Sequence, residues 1–227
     1  AGRGSRLGNI TNNIPKPMIS LKGKPVLEHN IEMCKKAGIK EVLINTHYLP
    51  NQIKNYFKDG SKYGINISYS YEPKILGTAG ALLAFKNKII GEKTFIIYGD
   101  NYFSFNLLDL ESYHNKVKAD ISILLDWREE IINSGVVSLS KNNQITKFVE
   151  KPKNINKINS NWINAGIYLL SPDFNYDLIK KGFDFGIDLI PKLLEGKYKI
   201  YGLKTYDKLI TIDNPKMLKN AMKKTKN

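Results

Sequence analysis

Hydrophobic residues in the first half of the chain follow two patterns, one typical of helices and one typical of strands. Between residues 25 and 37, Leu27, Ile31 and Cys34 recur at helical spacing, and Gly38 follows them. The segment EVLINT, residues 41–46, is a short apolar run, and INISYSYE, residues 65–72, alternates strictly. Helical spacing indicates one buried helix face, whereas alternation indicates a half-buried strand. The pattern therefore predicts a helix over residues 25–37 and strands over residues 41–46 and 65–72.

The rest of the chain continues this alternation of helices and strands. Further helices are predicted for NQIKNYFKDG (51–60, with Ile53, Tyr56 and Phe57 inward), TAGALLAFKNK (78–88) and 107–118, and near 173–180, 186–195 and 215–224. Further strands are predicted for TFIIYGD (94–100), ADISILLDW (119–127), GVVSLS (135–140), QITKFVE (144–150), WINAGIYLL (162–170) and YKIYGLK (198–204). The rhythm predicts an α/β fold, Rossmann-like, with three α/β/α layers and a mixed, mainly parallel sheet. One domain is expected over residues 1–227.

The positive net charge of the chain indicates that its partners are anionic. Lys and Arg number 35 and Asp and Glu 21, which gives a net charge of +14. Part of the excess is local, because lysines crowd the stretch after residue 215, where no acid occurs. Arginines are few and no DNA-binding motif is present, so an anionic small molecule is preferred to nucleic acid as the partner.

Cysteine content and hydropathy bear on location. Cys34 is the single cysteine, so the chain cannot form an internal disulfide, which fits a reducing compartment. No apolar run approaches the roughly 18 residues of a membrane span. We therefore expect a cytoplasmic protein without membrane partners. A homo-oligomer is compatible with the sequence, which does not fix the oligomeric state.

The opening stretch, AGRGSRLG, has the composition of a phosphate-binding loop. Glycine lets backbone N–H groups approach phosphate oxygens closely, and Gly2, Gly4, Ser5 and Arg6 fit that task. Lys16 lies between two prolines that would aim its side chain. The alternative is a disordered terminus, since the segment is neither a Walker A loop nor a G-x-G-x-x-G fingerprint.

Two further sites follow predicted strands, at the sheet edge where ligands of open α/β sheets bind. Asp100 comes after the apolar run Thr94–Tyr98 and is either a turn former or a Mg²⁺ ligand. Glu150 and Lys151 follow another strand and are either a solvated ion pair or the holder of a hydroxylated, phosphorylated ligand.

Together these segments resemble the sugar-1-phosphate nucleotidyltransferases. The family signature G-x-G-[ST]-R-L followed by P-K-P reads here as Gly2-Arg3-Gly4-Ser5-Arg6-Leu7 and Pro15-Lys16-Pro17. The other family segments occur in the family's order, as EPKILGTAGAL (72–82), YGD (98–100), SGVV (134–137), FVEKP (148–152) and NAGIYLLSP (164–172). Single motifs of this kind are weak, and the ordered set is strong. The resemblance also implies a short apolar strand preceding Ala1.

The resemblance implies a reaction, its substrates and the roles of individual residues. An NTP and a sugar 1-phosphate would give an NDP-sugar and pyrophosphate, with Mg²⁺ as cofactor, GTP favoured as nucleotide, and mannose or heptose 1-phosphate as acceptor. Residues of about 1–118 would bind the nucleotide and residues of about 119–227 the sugar. The implied nucleotide contacts are Ala1, Gly2, Gly4, Ser5 and Arg6 for the phosphates, and Glu72, Gly77 and Thr78 for the base. The implied catalytic residues are Arg6, Lys16 and Asp100, with Asp100 on the metal. The implied sugar-phosphate contacts are Gly135, Glu150, Lys151 and Asn164.

One departure from the family keeps an alternative open. Many members end in D-I-G-T-P, whose first Asp is a second metal ligand, whereas this chain has Thr211 there and Asp213 two residues later. A shift of two keeps the same strand face, so Asp213 is expected as the second ligand. Otherwise the chain is a non-catalytic, nucleotide-sugar-binding or regulatory subunit. Nucleic-acid binding through the lysine-rich tail is a minor alternative.

Overall fold

The structure, a computed structural model, describes residues 2, 4–154, 158–207, 209–212 and 214–224, with the backbone alone of Ser5, Arg6 and Lys224. The strands are β1 Ser20–Leu21, β2 Lys24–Pro25, β3 Glu41–Thr46, β4 Asn66–Tyr71, β5 Thr94–Ile97, β6 Asn101–Phe103, β7 Ile121–Trp127, β8 Gly135–Leu139, β9 Ile145–Glu150, β10 Trp162–Leu170, β11 Ile200–Thr205 and β12 Leu209–Thr211. The α-helices are α1 Val26–Lys36, α2 Pro50–Phe57, α3 Lys86–Ile89, α4 Leu107–Val117, α5 Ile190–Glu195 and α6 Pro215–Lys224.

The chain divides into two compact units that interleave along the sequence. The first unit takes its described residues from Ala1–Ile75, Tyr98–Leu107 and Lys208–Asn227, and the second takes them from Leu76–Ile97 and Leu108–Asp207. The expectation of one nucleotidyltransferase domain with a division near residue 118 stays a prediction.

The first unit buries two apolar clusters. One lies among α1, α2, β3 and β4 and consists of Met18, Leu27, Ile31, Ile44, Ile53, Phe57, Tyr63, Ile65 and Ile67. The other joins the opening segment to β12 and α6 and consists of Leu7, Ile19, Leu21, Val26, Ile210, Ile212, Leu218 and Ala221. The strands β3 and β4 are paired in parallel, and β12 pairs antiparallel with β6. The predicted apolar face of α1 supplies Leu27 and Ile31 to the first cluster, and α6 supplies Leu218 and Ala221 to the second.

The second unit is built on a six-stranded sheet of described residues. Its order is β11-β7-β10-β8-β9, and β5 also pairs with β10. The central strands β7 and β10 are almost wholly buried, as their continuous apolar runs indicate. A register shift between Asn164 and Tyr168 interrupts the pairing of β10 with β7, and Gly166 there has a φ of 85°.

The predicted α/β class with a mixed sheet is found, with a larger antiparallel share than the helix–strand rhythm indicated. Among the described strands, β3–β4 and β7–β11 are parallel, whereas β10 runs antiparallel to β5, β7 and β8, and β8 to β9. The strands from β7 to β10 follow one another with no helix described between them. Short connections join antiparallel neighbours, whereas parallel neighbours need a long crossover.

Several element predictions need local corrections. Tyr56 was predicted to point inward from α2, but it is 43% exposed because its hydroxyl donates to Glu28 Oε2 at 2.7 Å on the surface. The helix predicted at 78–88 is a 3₁₀ segment, Gly80–Phe85, followed by the short α3. Near 173–180 the described structure is one 3₁₀ turn, Tyr176–Leu178, capped by the Asn175 side chain. Within the described residues, no helix has the length and apolar character needed to cross a bilayer.

Candidate functional site

In the first unit, the opening segment is a packed turn from Gly4 onward. Gly4 has a left-handed φ of 65°, and its carbonyl accepts bonds from the Leu7 N–H at 2.9 Å and from Thr11 Oγ1 at 3.1 Å. Leu7 is buried in the core. A Cβ on Gly4 would lie 3.2 Å from Thr11 Cγ2 and 3.4 Å from Lys16 Cβ. The described part of this loop is therefore held closely against Thr11 and Lys16.

Phosphate binding by the opening loop stays a prediction. Ala1 lies outside the described residues, and only the backbones of Ser5 and Arg6 are described. Gly2 is exposed, and a Cβ built on it would meet no described atom within 4 Å beyond its chain neighbours. For these positions, phosphate binding is predicted from the sequence motif alone. For Gly4, the prediction is accompanied by a defined left-handed turn.

The predicted catalytic pair Lys16 and Asp100 is brought into direct contact. Lys16 Nζ donates to Asp100 Oδ2 at 2.6 Å, although 84 positions separate them. The Lys16 side chain is 10% exposed and that of Asp100 is 35% exposed. Pro15 is buried beside Lys16 and starts the 3₁₀ turn Lys16–Met18. A nearly buried ammonium group is therefore held by a carboxylate that still reaches solvent.

Asn30, which sequence analysis missed, fixes the turn that carries Asp100. Its side-chain Nδ2 donates to the Asn101 carbonyl at 3.0 Å and to the Tyr98 carbonyl at 3.5 Å. Asn30 is 4% exposed on the apolar face of α1. A polar residue within an apolar helix face was the available signal. The contact spans 71 positions, so its partner could not be found from the pattern.

The second metal position is only partly described. Thr211 lies opposite Asn101 in the β12–β6 register, and Asn101 directly follows Asp100 in the sequence. The Thr211 hydroxyl donates to Met217 Sδ at 3.6 Å. The strand ends at Thr211 and Ile212 is fully buried, so the continuous strand assumed for Asp213 stops short of it. Asp213 itself lies outside the described residues.

The donor set around Asp100 determines whether Mg²⁺ fits this site. The described residues contain no group of three or more His, Cys, Asp or Glu side chains placed to hold a metal. Asp100 offers one partly exposed carboxylate. Mg²⁺ is typically held by one or two carboxylates and completes its shell with water and substrate phosphates. The site therefore fits Mg²⁺ that arrives with a phosphorylated ligand, and does not form an all-protein metal cage.

Glu72 lies at the carboxyl end of β4, in the first unit, and is 1% exposed. Its Oε1 accepts from Asn45 Nδ2 at 2.8 Å, and its carbonyl accepts from His47 Nδ1 at 2.7 Å. Tyr48, which follows His47 in the sequence, donates from its hydroxyl to the Asn12 carbonyl at 2.7 Å. This network connects the predicted base-reading residue to the opening segment, and base reading by Glu72 stays a prediction.

In the second unit, the loop of Gly77 and Thr78 is fastened to the segment 182–185. A Cβ on Gly77 would lie 2.3 Å from the Phe183 carbonyl oxygen, and the φ of Gly77 is 77°. Thr78 donates from its N–H at 3.0 Å and from Oγ1 at 2.9 Å to Asp184 Oδ1, and Oγ1 accepts from the Phe185 N–H at 2.9 Å. Both residues thus have a structural task, and their nucleotide contacts stay predictions.

The Glu150 carboxylate lies between two glycines of the second unit. Gly135 is directly opposite Glu150 in the β8–β9 register, and a Cβ there would lie 2.7 Å from Glu150 Oε2. A Cβ on Gly186 would lie 2.5 Å from the same oxygen. Sequence analysis selected Gly135 and missed Gly186, since 36 positions along the chain separate Gly186 from Glu150.

The electrostatic surroundings of Glu150 shift its titration. Burial raises the pKa of Glu150 above its ordinary value, Lys151 lowers this pKa, and the negative charge of Asp184 raises it further. Lys151 Nζ lies 3.7 Å from Glu150 Oε1, and the Lys151 backbone has a left-handed φ of 44°. A non-glycine residue in that conformation is uncommon and clusters at functional sites. Burial therefore disfavours the charged form of the Glu150 carboxyl group, and Lys151 partly offsets this effect.

Asn164, at the register shift of β10, is held at both ends of its side chain. Its Nδ2 donates to the Tyr168 hydroxyl at 2.6 Å, and its Oδ1 accepts from the Gly166 N–H at 2.9 Å. Tyr168 stacks on Phe185, with ring centroids 4.4 Å apart, and Phe185 precedes Gly186. The predicted sugar residues Gly135, Glu150 and Asn164 are thus linked by packed neighbours in one unit.

The family model described as nucleotidyl transferase matches residues 1–209. The chain is 33% identical over 218 residues to a UTP–glucose-1-phosphate uridylyltransferase of Synechocystis sp., which covers 89% of this chain. It is 36% identical over 185 residues to the D-glycero-alpha-D-manno-heptose 1-phosphate guanylyltransferase of Campylobacter jejuni, covering 81% of this chain and 79% of that protein. The chain spans about half the length of several curated relatives, 56% of the Synechocystis protein and 48% of a mannose-1-phosphate guanylyltransferase of Arabidopsis thaliana.

The fold is also shared with a solved structure. The crystal structure of HddC from Yersinia pseudotuberculosis matches with a TM-score of 0.82 and 24% identity, over 98% of this chain and 95% of that one. This likeness confirms the predicted nucleotide-diphospho-sugar transferase fold. The family match and these relatives confirm the resemblance drawn from the ordered motifs. The chain belongs to the nucleotidyl transferase family.

Proposed function

We propose that the chain transfers a nucleotidyl group from an NTP to a sugar 1-phosphate, giving an NDP-sugar and pyrophosphate. The observation that carries the proposal is the contact of Lys16 with Asp100. A nearly buried ammonium beside a partly exposed carboxylate gives a fixed positive charge next to an oxygen ligand for a metal. Phosphoryl-type transfers rely on such positioning and charge stabilisation and need no protein nucleophile.

The bonds that form and break define what the residues must do. An oxygen of the sugar phosphate attacks the α-phosphorus in line, and the bond from that phosphorus to the pyrophosphate oxygen breaks. In this proposal, N–H groups of the opening loop, Gly2 and Gly4 among them, hold the triphosphate together with Arg6. Lys16 neutralises charge that develops at the α-phosphate. Asn30 keeps the Asp100 turn in place during the reaction.

The acceptor would be bound by residues of the second unit. Glu150 accepts hydrogen bonds from sugar hydroxyls, Lys151 pairs with the phosphate, and Asn164 adds a polar contact. Burial disfavours the charged form of Glu150, and hydrogen bonds donated by sugar hydroxyls would favour that form and compensate for the burial. Mg²⁺ would be held by Asp100, with Asp213 as the proposed second ligand, and would supply charge neutralisation on the phosphates.

We favour GTP as the nucleotide and mannose or heptose 1-phosphate as the acceptor. The relatives named guanylyltransferases support this preference, and the uridylyltransferase relative is its main competitor. Glu72 is 1% exposed and its Oε1 accepts from Asn45, so its side chain supports the fold of the base-reading loop, and the preference for GTP is drawn from the relatives.

The test is pyrophosphate release across a matrix of substrates. GTP, CTP, UTP and dTTP are each combined with mannose, glucose and heptose 1-phosphates, with Mg²⁺ or with a chelator. We expect release with GTP and one of the mannose-type acceptors, dependent on Mg²⁺. Asp100→Asn should reduce it about 100- to 1,000-fold, and Asp59→Asn, at an exposed carboxylate of the first unit, should leave it unchanged. Release with UTP and glucose 1-phosphate alone would overturn the nucleotide preference and leave the reaction class intact.

A non-catalytic subunit that binds nucleotide sugars is the second candidate. It is favoured by Thr211, which stands opposite Asn101 where the family usually has a carboxylate. Saturable binding of NTP and sugar phosphate, measured by calorimetry, together with no pyrophosphate release in any combination, would support it against the enzyme.

A further inference from the structure

The position of the Glu150 carboxylate depends on a residue that neither the motifs nor the family match assigns. Gly186 lies in the π-helical turn Phe185–Leu189, which leads into α5. A Cβ built on Gly186 meets Glu150 Oε2 at 2.5 Å, Phe148 Cε1 at 3.0 Å and Glu150 Cδ at 3.3 Å. Real Cβ atoms do not approach other atoms as closely as 2.5 Å. The carboxylate therefore occupies space that exists because residue 186 has no side chain.

The backbone at Gly186 does not itself demand glycine. Its φ lies outside the left-handed region, in contrast to Gly77 and Gly182 of the second unit. An alanine can adopt this conformation without strain. The closest atom that alanine would meet is Oε2, at the end of the flexible Glu150 side chain, which can rotate away. Phe148 Cε1, at 3.0 Å, needs to shift by only a few tenths of an ångström. A methyl group at position 186 would thus move the carboxylate and leave the fold in place.

We propose that Gly186 is a positioning residue that sets where the Glu150 carboxylate lies, and thereby which sugar hydroxyl that carboxylate can reach. A Cβ on Gly135, in β8, would lie 2.7 Å from the same oxygen, so Oε2 lies in a slot between two positions that lack side chains. The inference rests on the proposed function for its consequence, since Glu150 is there the acceptor of sugar hydroxyls.

The charges around the slot agree with this assignment. Lys151, beside Glu150 on the chain, has its Nζ 3.7 Å from Oε1, and Asp184 lies two positions before Gly186. Burial, Asp184 and Lys151 all act on the pKa of Glu150, with burial the largest cause and the net direction upward. A carboxylate moved out of the slot would lose part of its burial, and its pKa would fall toward the ordinary value.

The kinetic experiment is a double-mutant cycle of Gly186→Ala and Glu150→Ala. In Gly186→Ala we expect the KM for the sugar 1-phosphate to rise about 10-fold or more, with the KM for NTP unchanged, because small displacements of a positioning group cost that much. In the Glu150→Ala background, Gly186→Ala should cause no further change. Gly196→Ala is the matched control, since Gly196 also has a negative φ of −75° and ends α5 beside Tyr198. An equal loss with and without the Glu150 carboxylate would overturn the proposal.

A second measurement does not depend on catalysis. The carboxyl ¹³C signal of Glu150 is titrated by NMR in the wild type, in Gly186→Ala and in Gly196→Ala. We expect the Glu150 pKa to fall in Gly186→Ala alone. An unchanged pKa in Gly186→Ala would show that the carboxylate has not moved and would refute the proposal. Failure of the proposed function would appear separately, as a wild type that releases no pyrophosphate while its NMR titration still responds to Gly186→Ala.

Discussion

The two units hold their key carboxylates in opposite ways. Asp100 of the first unit is partly exposed and is paired with the nearly buried Lys16 ammonium. Glu150 of the second unit is enclosed by Gly135 and Gly186, and its pKa is raised mainly by burial. The ion pair places a positive charge directly beside the Asp100 carboxylate, whereas burial disfavours the charged form of Glu150. The comparison indicates that Asp100 acts through charge, and Glu150 through position and hydrogen bonding.

Removing the charge of Asp100 should give the largest effect. In Asp100→Asn we expect kcat/KM for nucleotidyl transfer to fall about 100- to 1,000-fold, because a fixed group that stabilises developing charge is lost. Steady-state pyrophosphate release measures the change. Glu150→Gln, which also removes a negative charge, should cost much less. Equal losses of kcat/KM in the two variants would contradict the assignment of a charge role to Asp100 and a positional role to Glu150.

Loosening the Asp100 turn should give the next largest effect. In Asn30→Ala the carbonyls of Tyr98 and Asn101 lose their side-chain donor. We expect kcat/KM to fall about 10-fold, and the free energy of unfolding to fall by about 1–3 kcal/mol, the usual cost of unsatisfied buried groups. Urea denaturation and kinetics are measured on the same samples. A stability loss without any kinetic loss would show that Asn30 does not position the turn.

Neutralising Asp184 should lower the Glu150 pKa and change the rate of nucleotidyl transfer less than the two preceding substitutions do. In Asp184→Asn, Oδ1 still accepts from Thr78, but the negative charge acting on Glu150 is gone. We expect the Glu150 pKa to fall, so that ionisation begins at lower pH, and the pH dependence of the sugar-phosphate KM to move in the same direction. Asp177→Asn, at an exposed ion pair with Lys86, is the control and should leave both unchanged. An unmoved Glu150 pKa would contradict the assigned electrostatics.

Replacing the buried His114 should give the smallest effect, which is confined to the pH dependence of stability. Its ring contacts Ser122 Oγ at 2.9 Å and Ser171 Oγ at 3.2 Å, and burial lowers its pKa. A base with a depressed folded pKa contributes stability above its unfolded pKa of about 6.5, and this is lost as pH falls through the folded pKa. We expect the melting temperature of the wild type to fall more between pH 7 and pH 5 than that of His114→Gln. Parallel curves would exclude His114 as the cause.

Sequence patterns found the residues whose role depends on their place along a strand or a motif. Asp100 and Glu150 follow apolar strands, and Lys16 lies between prolines, so local signals were sufficient to select them. Asn30 and Gly186 act on residues 71 and 36 positions away, and no local pattern reports a contact of that kind. The number of antiparallel neighbours of β10 was likewise underestimated, because the order of strands in a sheet is set by tertiary contacts.

Local errors had local physical causes. Tyr56 has helical spacing with Ile53 and Phe57 but is amphipathic, and its hydroxyl partner Glu28 lies at the surface. The loop before α3 follows a 3₁₀ path because Gly80 packs against the backbone of the 180–182 segment, with a Cβ position 3.1 Å from the Lys180 carbonyl oxygen. Periodicity reports which residues are apolar and gives no information on such close backbone contacts.

The interleaving of the first unit has a consequence for how the chain acquires its structure. The strand β6 gains its partner only when β12 is in place, with Thr211 opposite Asn101. The apolar cluster around Leu7 likewise needs Ile210, Ile212 and Leu218. Contacts between residues far apart in sequence require costly loop closure and slow the search for the native state. During synthesis, the first unit therefore completes its core after the residues of the second unit have been made, although its own first 75 residues emerge earliest.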